Sequence, residues 1–382
     1  MVLALFIFTA LLLLAHAILI EKYRYWFMKL KPLVNKAADI PTTQFSIIIP
    51  ARNESANIEI CLNSVFAQKY PKNIYEVIVV DDYSSDTTAD IVKKIQKQYS
   101  NLHLIQLDKL LHEKQLNSYK KKAIEIAIHQ SVGEFIVTTD ADCILPPNWL
   151  YNFDTYIREN NSVFVAGPVR FQDNGSFVSK FQCLDFMSLQ GITAAAVGAG
   201  FHSMCNGANL AYSKKVFMEV GGFKGIDDIA SGDDMMLMHK IYKQHKRRIG
   251  FLFSKDAVAL TKPMPTWRDF FNQRIRWASK ADKFDDKRII IVLALIYLLN
   301  VSFIALPIIA FWYGQVWYWW GIMLLVKVLI ELRFMLPVSK FFNQQILLLW
   351  FPVMQPFHIV YTVMAGWLGK FGKYKWKGRT VK

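Results

Sequence analysis

The sequence predicts an α/β protein whose soluble domain has a doubly wound, mostly parallel sheet, with one N-terminal and two to three C-terminal transmembrane helices. Three observations predict this class. The chain begins with an apolar run of 20 residues, short β-branched runs alternate with amphipathic stretches over residues 41–260, and three apolar stretches follow residue 288. The 382 residues are 53% hydrophobic, with four well-separated cysteines, which excludes disordered, collagen-like and disulfide-scaffold proteins.

Residues 1–20 predict an uncleaved N-terminal transmembrane anchor. Twenty residues rising about 1.5 Å each just span a hydrocarbon core of about 30 Å. Positive charge follows this run, at Lys22, Arg24 and Lys29, and does not precede it, which argues against a cleaved signal peptide. By the positive-inside tendency, the N-terminus lies outside and the next domain lies in the cytoplasm.

Residues 41–260 predict the soluble domain. Apolar runs predict buried parallel strands at Phe45–Ile49, Glu76–Val80, Leu102–Leu107 and Glu134–Thr138. Stretches with polar or capping residues near their starts predict helices at Ser55–Ala67, Thr88–Tyr99 and Ser118–Gln130. This alternation implies right-handed crossovers, and ligands then bind beyond the carboxyl ends of the strands.

The C-terminal part divides into an amphipathic interfacial segment at 261–288, a membrane region at 289–368 and a basic tail at 369–382. The membrane region has apolar stretches at 289–313, 316–338 and 345–368. Three full crossings would put the basic tail outside, against the charge rule. We therefore expect Gln345–Leu368, which contains Pro352 and Pro356, to be re-entrant or interfacial.

The second apolar stretch contains Lys327, Glu331 and Arg333. Charges are costly in lipid, so these side chains are expected to face protein or the interface. A structural ion pair and contact with a charged acceptor both remain open. The net charge of +15 likewise concentrates at the flanks of apolar runs. This distribution favours anionic membrane lipid over nucleic acid as a partner.

Carboxylates follow three of the predicted strands. The first strand ends in Pro50-Ala51-Arg52-Asn53-Glu54, the second in Asp81-Asp82 and the fourth in Asp140-Ala141-Asp142. At one rim of a parallel sheet these carboxylates repel one another unless a cation or ligand uses them. Hard oxygen ligands of this kind suit Mg²⁺ or Mn²⁺, which also bind substrate phosphates.

Two further motifs carry candidate chemistry. Asp233 and Asp234 precede an apolar helical pattern, where they either cap the helix or, if Asp234 faces the cleft, accept a proton from an attacking hydroxyl. In Gln273-Arg274-Ile275-Arg276-Trp277, the guanidinium of Arg276 is suited to phosphate and the indole of Trp277 supplies a stacking surface. Membrane anchoring alone also explains aromatic residues in this segment.

The ordered set PARNE, DD, DAD, GDD and QRIRW resembles the membrane-anchored branch of the family 2 glycosyltransferases, which includes hyaluronan, chitin and cellulose synthases and ceramide glucosyltransferase. The resemblance covers about Phe45 to Trp277, and Trp376-Lys377-Gly378-Arg379 is similar to a basic ending of some members. It implies a GT-A fold, a nucleotide-sugar donor, most often a UDP-sugar, and a divalent cation, Mg²⁺ or Mn²⁺.

The resemblance also implies roles for individual residues. Asp234 matches the catalytic base, beside Asp233, and Asp142 matches the main metal ligand, beside Asp140. Asp82 is expected to hydrogen-bond the uracil. The residues implied at the donor are Pro50, Ala51, Arg52, Glu54, Asp82, Asp140 and Lys120 or Lys121. The residues implied at the diphosphate or acceptor are Gln273, Arg276, Trp277, Gly207 and Asn209.

From these observations we expect an inverting, metal-dependent glycosyltransferase that acts on a lipid-linked or membrane-bound acceptor. The expected location is the bacterial inner membrane, with the catalytic domain in the cytoplasm. One alternative is a processive polysaccharide synthase that extrudes its polymer, although the apolar helices are few for enclosing a channel. An alternative of another class is a non-catalytic membrane scaffold, which loss of the base or of the DxD would signal; neither is lost here.

Overall fold

The computed structural model describes residues 2–33, 40–110, 118–202, 204–227, 232–280, 286–371, 374–376 and 379–381. The chain forms two compact units. The sheet unit comprises Lys31–Arg170 and Ser203–Lys262, and the helical unit comprises Met1–Leu30, Phe171–His202 and Pro263–Lys382.

Seven strands of the described residues form the sheet of the sheet unit. They are β1 (Phe45–Ala51), β2 (Tyr75–Asp81), β3 (Leu102–Gln106), β4 (Phe135–Thr138), β5 (Phe164–Ala166), β7 (Leu210–Ser213) and β8 (Ile249–Phe251). Their order is β3-β2-β1-β4-β7-β5-β8, and β7 runs antiparallel to both of its neighbours. The predicted α/β fold with a mostly parallel sheet is thus confirmed.

Helices flank this sheet in the order that the sequence predicts. The helices of the sheet unit are α2 (Ile58–Phe66), α3 (Thr88–Gln96), α4 (Leu107–Leu110), α5 (Tyr119–Gln130), α6 (Trp149–Asn160), α8 (Lys214–Glu219) and α9 (Asp233–His245). Short 3-10 helices lie at Lys72–Ile74, Lys246–Arg248 and Lys255–Ala257. Two further strands, β6 (Val169–Phe171) and β9 (Ala259–Thr261), form a separate two-stranded sheet.

The central strands are apolar because their side chains are covered on both faces. All residues of β2 are buried, and so are all residues of β1 except Pro50. A strand buried on both faces has a continuous apolar sequence, which is why β1 to β4 were recognisable. The register aligns Ala51 with Asp81 and Ile48 with Thr138. The segments that follow β1, β2 and β4 therefore leave the same edge of the sheet.

The helical unit contains α1 (Val2–Met28), α7 (Phe177–Gly198), α10 (Trp267–Ala278), α11 (Lys287–Ala310), α12 (Gln315–Phe342), α13 (Phe351–Phe371), a 3-10 helix at Gln345–Trp350 and a hairpin of β10 (Tyr374–Trp376) and β11 (Arg379–Val381). Within the described residues, three helical segments are long and apolar enough to cross a membrane, namely Val2–Met28, Lys287–Ala310 and Gln345–Phe371. This finding indicates association with a membrane.

The start of α1 and the end of α11 pack together, since Leu5 lies against the buried cluster that includes Leu306 and Ala310. At the other end of α1, the ring of Phe27 lies 6.3 Å from that of Phe341 near the end of α12. Thus α12 runs parallel to α1, and α11 runs antiparallel to both.

The structure differs from the sequence prediction in three segments. The first helix extends beyond residue 20 to Met28. Residues 171–202, expected in the soluble domain, belong to the helical unit, because α7 packs closely against α12, where a Cβ at Gly191 would come within 2.7 Å of Val338. Pro352 and Pro356 do not interrupt the last apolar stretch, which is helical from Phe351. Pro352 lies in the first turn, where Pro is best tolerated, and Pro356 lies inside the helix without ending it.

Candidate active site

The segments after β1 and β2 are joined by side chains. Arg52 Nη1 donates to the carbonyl oxygen of Asp82 at 2.8 Å and to that of Tyr83 at 3.2 Å. Asn53 and Tyr83 both have φ of 53°, a left-handed conformation that turns each segment sharply. Arg52, expected at the donor, thus has a structural role in holding the Asp81-Asp82 segment.

Asp86 ties the same two segments together. Its carboxylate accepts the backbone N–H groups of Ser55 at 3.0 Å and Thr88 at 3.0 Å. Burial raises the pKa of Asp86, but the hydrogen bonds from Thr88 and Ser55 together outweigh burial and lower the pKa to about 2. Glu54 belongs to this arrangement, because its N–H donates to Thr88 Oγ1 at 2.8 Å. Sequence reasoning did not single out Asp86, although its place before a helix is typical of a capping residue.

Asp81 and Asp82 are both buried. Burial raises the pKa of the Asp81 carboxyl, and hydrogen bonds from Ser84 only partly offset this effect. The Asp82 backbone N–H donates to the carbonyl oxygen of Ala51 at 2.8 Å, which extends the β1–β2 pairing by one residue and fixes where the Asp82 side chain leaves the sheet.

The aspartates of the DxD segment have different partners. Asp140 Oδ1 lies 2.8 Å from Lys120 Nζ. Asp142 Oδ2 accepts the hydroxyl of Thr261 at 3.0 Å. Thr261 was not identified from the sequence, since it is distant in the chain and lies in a three-residue strand.

The aspartates at the start of α9 lie beside the same lysine. Asp233 Oδ2 is 3.8 Å from Lys120 Nζ. Asp234 Oδ2 accepts the N–H of Gly207 at 2.9 Å, and its Oδ1 accepts the N–H of Met235 at 2.8 Å. Asp233 is buried and Asp234 is half-buried, so Asp234 is the more accessible of the two. The preceding Ser231 lies outside the described residues.

Gly207 lies at the centre of these groups. A Cβ at this position would stand 3.5 Å from Lys120 Nζ and 3.6 Å from both Asp233 Oδ2 and Asp234 Oδ2. We call Lys120, Asp140, Gly207, Asp233 and Asp234 the acidic cluster. Burial lowers the pKa of Lys120, but the charges of Asp140 and Asp233 outweigh it and raise the pKa above its usual value. Lys120 is therefore a cation.

The neighbouring Lys121 has a different position. It is 1% exposed, and its Nζ donates to the carbonyl oxygen of Ile226 at 2.5 Å. The sequence left Lys120 and Lys121 as alternatives, and the structure places Lys120 in the acidic cluster.

Asn209 was expected to line the cleft, but its side chain is fully buried. Its Oδ1 accepts the indole N–H of Trp149 at 2.8 Å, and its Nδ2 donates to the carbonyl oxygens of Pro168 at 2.7 Å and Ala257 at 2.9 Å. These bonds, and the lack of exposed surface, give Asn209 a structural role in this conformation. Its motif partner Gly207 does lie among the charged groups.

The QRIRW motif lies on α10, in the helical unit. Gln273, Arg276 and Trp277 are half-buried. Arg274, which the motif pattern leaves unspecified, is 4% exposed and pairs with Asp185 of α7.

Among the described residues, no three His, Cys, Asp or Glu side chains are placed to hold a metal ion. The carboxylates of Asp140 and Asp142 nevertheless fit Mg²⁺ or Mn²⁺, because these ions are commonly held by one or two carboxylates together with substrate phosphates. These two carboxylates thus fit a metal ion whose remaining ligands come from the substrate and from water.

The sheet topology and the carboxylates at the strand ends define an α/β protein of the GT-A type. The sequence model for glycosyl transferase family 2 matches residues 46–221, and that for glycosyl transferase family group 2 matches residues 135–368. The chain belongs to the family 2 glycosyltransferases.

Two curated relatives support this assignment. "Glycosyltransferase AglE" of Haloferax volcanii is 30% identical over 50% of this chain and 58% of its own length. "Poly-beta-1,6-N-acetyl-D-glucosamine synthase" of Staphylococcus aureus is 26% identical over 67% of this chain and 60% of its own length. The chain thus spans about three fifths of these relatives.

A solved structure shares the fold. The mannosyltransferase PcManGT from Pyrobaculum calidifontis, in complex with GDP-Man and Mn²⁺, superposes with a TM-score of 0.60 at 18% identity. The match covers 96% of this chain and 98% of that one. At this identity the likeness shows the fold alone.

Proposed function

We propose that the chain is an inverting glycosyltransferase that moves a sugar from a nucleotide-sugar, in the first place a UDP-sugar, to a lipid-linked or otherwise membrane-bound acceptor. The observation that carries the proposal is the acidic cluster. It combines a half-buried carboxylate, Asp234, with a cation, Lys120, beside the DxD segment.

Asp234 acts as the general base in this proposal. The N–H groups of Gly207 and Met235 fix its carboxylate, and the N-terminal end of α9 favours its charged form. It takes the proton of the acceptor hydroxyl while the oxygen attacks the anomeric carbon and the nucleoside diphosphate leaves. One displacement of this kind inverts the anomeric carbon and requires no covalent nucleophile.

The remaining residues balance the charge that develops on the leaving diphosphate. Lys120 is a cation beside Asp140, and Gln273, Arg276 and Trp277 are assigned to the diphosphate and acceptor from the family resemblance. Asp142, with Asp140, would hold the Mg²⁺ or Mn²⁺. When bound, the ion supplies a positive charge that stabilises the diphosphate oxygens.

The nucleotide segment consists of Pro50, Ala51, Arg52, Glu54 and Asp82. The hydrogen bonds through Asp86 and Arg52 hold its two strand-end segments together. We propose that this fixed arrangement receives the nucleoside, with Asp82 recognising the base. The bacterial inner membrane is the proposed location.

Screening nucleotide-sugars tests the proposal. UDP-GlcNAc, UDP-glucose and GDP-mannose are offered to the full chain in lipid, with Mg²⁺ or Mn²⁺, and released nucleotide is measured. We expect Asp234→Asn to keep nucleotide affinity and to lose turnover about 10²- to 10⁴-fold. Asparagine has one acceptor oxygen, so it keeps the hydrogen bond from the Gly207 N–H and loses the one from the Met235 N–H.

Asp90→Asn, on the exposed surface of α3, serves as the control. Wild-type turnover by Asp234→Asn would remove Asp234 as the base. Absence of any turnover by the wild-type chain would favour the scaffold alternative.

A processive synthase is the second candidate, because the Staphylococcus aureus relative is named as the synthase of a polymer. The described residues contain three segments long and apolar enough to cross a membrane, which is few for enclosing a channel. Product analysis with one labelled donor separates the two: a single-sugar adduct supports transfer to a lipid, and a ladder supports polymerisation.

A further inference from the structure

Arg274 is among the most enclosed charged residues of the helical unit. It is 4% exposed, its Nε donates to Asp185 Oδ2 at 3.0 Å, and its Nη2 donates to the same oxygen at 2.5 Å. The hydroxyl of Tyr361 donates to the other oxygen of that carboxylate. A buried guanidinium held by two hydrogen bonds to a fixed carboxylate has little freedom to move.

Arg274 also contacts three residues of its own helix, two of which belong to the motif. Its Nη1 donates to Oε1 of Gln273 at 3.0 Å. Its guanidinium carbon lies 4.1 Å from the ring centroid of Trp277 and 4.8 Å from that of Phe270. Cation–π contacts of this geometry are attractive, so they hold the ring of Trp277 in place.

The contact with Gln273 also fixes which end of the amide faces outward from Arg274. A guanidinium group has only donors, so only the oxygen of the Gln273 amide can face it. The Nε2 end of Gln273 is consequently directed away from Arg274, where its two N–H groups can donate to an oxygen of a ligand.

We propose that Arg274 is a positioning residue for the transfer reaction. Held by Asp185, it presents Gln273 as a hydrogen-bond donor to an oxygen of the diphosphate or acceptor, and it orients Trp277. This proposal rests on the proposed function, because the ligand is the one assigned there.

Two substitutions and their combination test it. Arg274→Lys keeps the positive charge next to Asp185 but removes the planar guanidinium group and its stacking on Trp277. Gln273→Glu keeps an oxygen for Arg274 but replaces the N–H donors by a second acceptor. Each is expected to lower kcat/KM on the order of tenfold or more, with the thermal midpoint close to that of the wild type. The double variant is expected to lose little more than the worse single variant, since Arg274 acts through Gln273.

Arg268→Lys, on the exposed face of the same helix, is the control and should keep wild-type kcat/KM. Wild-type kcat/KM in Arg274→Lys, or fully additive losses in the double variant, would overturn the proposal. If Arg274→Lys does not fold, Arg274→Gln, whose amide can still donate to Asp185, takes its place. Wild-type kcat/KM in that variant overturns the proposal, and a loss that is not additive with the loss in Gln273→Glu supports it. A wild-type chain that releases no nucleotide rejects the proposed function itself, whereas active wild type with unaffected variants rejects only the role of Arg274.

Discussion

The Nζ atom of Lys120 lies 2.8 Å from Oδ1 of Asp140, in the cluster that also contains Asp233 and Asp234. The next residue, Lys121, instead donates to the carbonyl oxygen of Ile226 from a buried position. Adjacent residues on a helix point about 100° apart, which follows from 3.6 residues per turn. The two lysines therefore face different neighbours, Lys120 the acidic cluster and Lys121 a backbone carbonyl group.

We expect Lys120→Met to reduce turnover strongly while the chain stays folded, because the substitution removes a cation of the acidic cluster. Lys121→Met should instead lower the free energy of unfolding by about 1–3 kcal/mol, the cost of leaving the Ile226 carbonyl without its donor. Nucleotide release and thermal unfolding are measured on both. The assignment is wrong if the two variants exchange these phenotypes.

Gly207→Ala tests the centre of the acidic cluster. The added methyl group would fit, since its nearest neighbours are 3.5 Å and 3.6 Å away, and φ at Gly207 is not in the left-handed region. It would, however, occupy the space between Lys120, Asp233 and Asp234. We expect a fall in kcat on the order of tenfold or more, which is less than the full 10²- to 10⁴-fold contribution of a general base, with little change in thermal stability.

Gly314→Ala is the control for this substitution, because its Cβ would meet no atom within 4 Å. Both variants should unfold at the temperature of the wild type. An unchanged kcat in Gly207→Ala would mean that no substrate atom needs this space.

Most strands and helices of the sheet unit could be predicted from the sequence, because the sequence signals for them are local. Strands β1 to β4 and helices α2, α3 and α5 come from apolar runs and caps that can be read within a few residues. Strands β5 and β8 have three residues each, too few to form a recognisable apolar run. Strand-end carboxylates were predictable for the same reason, since parallel strands bring their ends together.

Contacts that depend on the direction in which a side chain points could not be predicted from the sequence. Which of Lys120 and Lys121 enters the acidic cluster depends on which face of α5 packs on the sheet. The pair of Arg274 and Asp185 joins residues 89 positions apart in the chain. Nothing in the local sequence of either residue identifies its partner, and the QxxRW pattern leaves position 274 unspecified.

The apolar helix α12 contains an ion pair that the sequence left open between a structural role and contact with an acceptor. Lys327 is 1% exposed and lies 2.7 Å from Glu331 Oε1. Gln355 accepts from Lys327 at 2.8 Å and donates to Glu331 at 2.7 Å, and His16 lies 2.9 Å from Glu331. The group thus joins α1, α12 and α13.

These contacts favour the structural role. We expect Lys327→Met to destabilise the chain by about 3–5 kcal/mol, because it leaves the carboxylate of Glu331 without its cation. Lys327→Met combined with Glu331→Gln should recover much of that loss, since no uncompensated charge remains. Thermal unfolding in detergent measures both. Wild-type stability of the single variant, together with loss of transfer, would instead favour contact with a charged acceptor.

The helix α13 lies alongside α10 over most of its length. The rings of Trp267 and Phe357 are 6.3 Å apart, and those of Phe270 and Tyr361 are 5.2 Å apart. Near the other end, a Cβ at Gly369 would come within 2.7 Å of Ala278 Cβ, so the glycine permits the close approach. Because α10 carries several charged side chains, it is expected to lie at the membrane interface, and α13 is then expected at the same depth.

This arrangement predicts that α13 does not cross the membrane, although it is long and apolar enough to do so. Instead we expect α12 to cross, as predicted for residues 316–338, although it is not one of the three segments of the described residues that are apolar enough by composition. Lys327 and Glu331 of α12 pair with each other, which lowers the cost of placing them in lipid. With α1, α11 and α12 crossing, the turn at Gly314 lies outside, and Asn343 and Thr380 lie inside. Single cysteines at these positions, in a chain without its native cysteines, are treated in intact cells with a reagent that cannot cross the membrane. We expect labelling of Gly314→Cys alone. Labelling of Thr380→Cys would mean that α12 and α13 both cross, and labelling of Asn343→Cys without Thr380→Cys would mean that α13 crosses in place of α12.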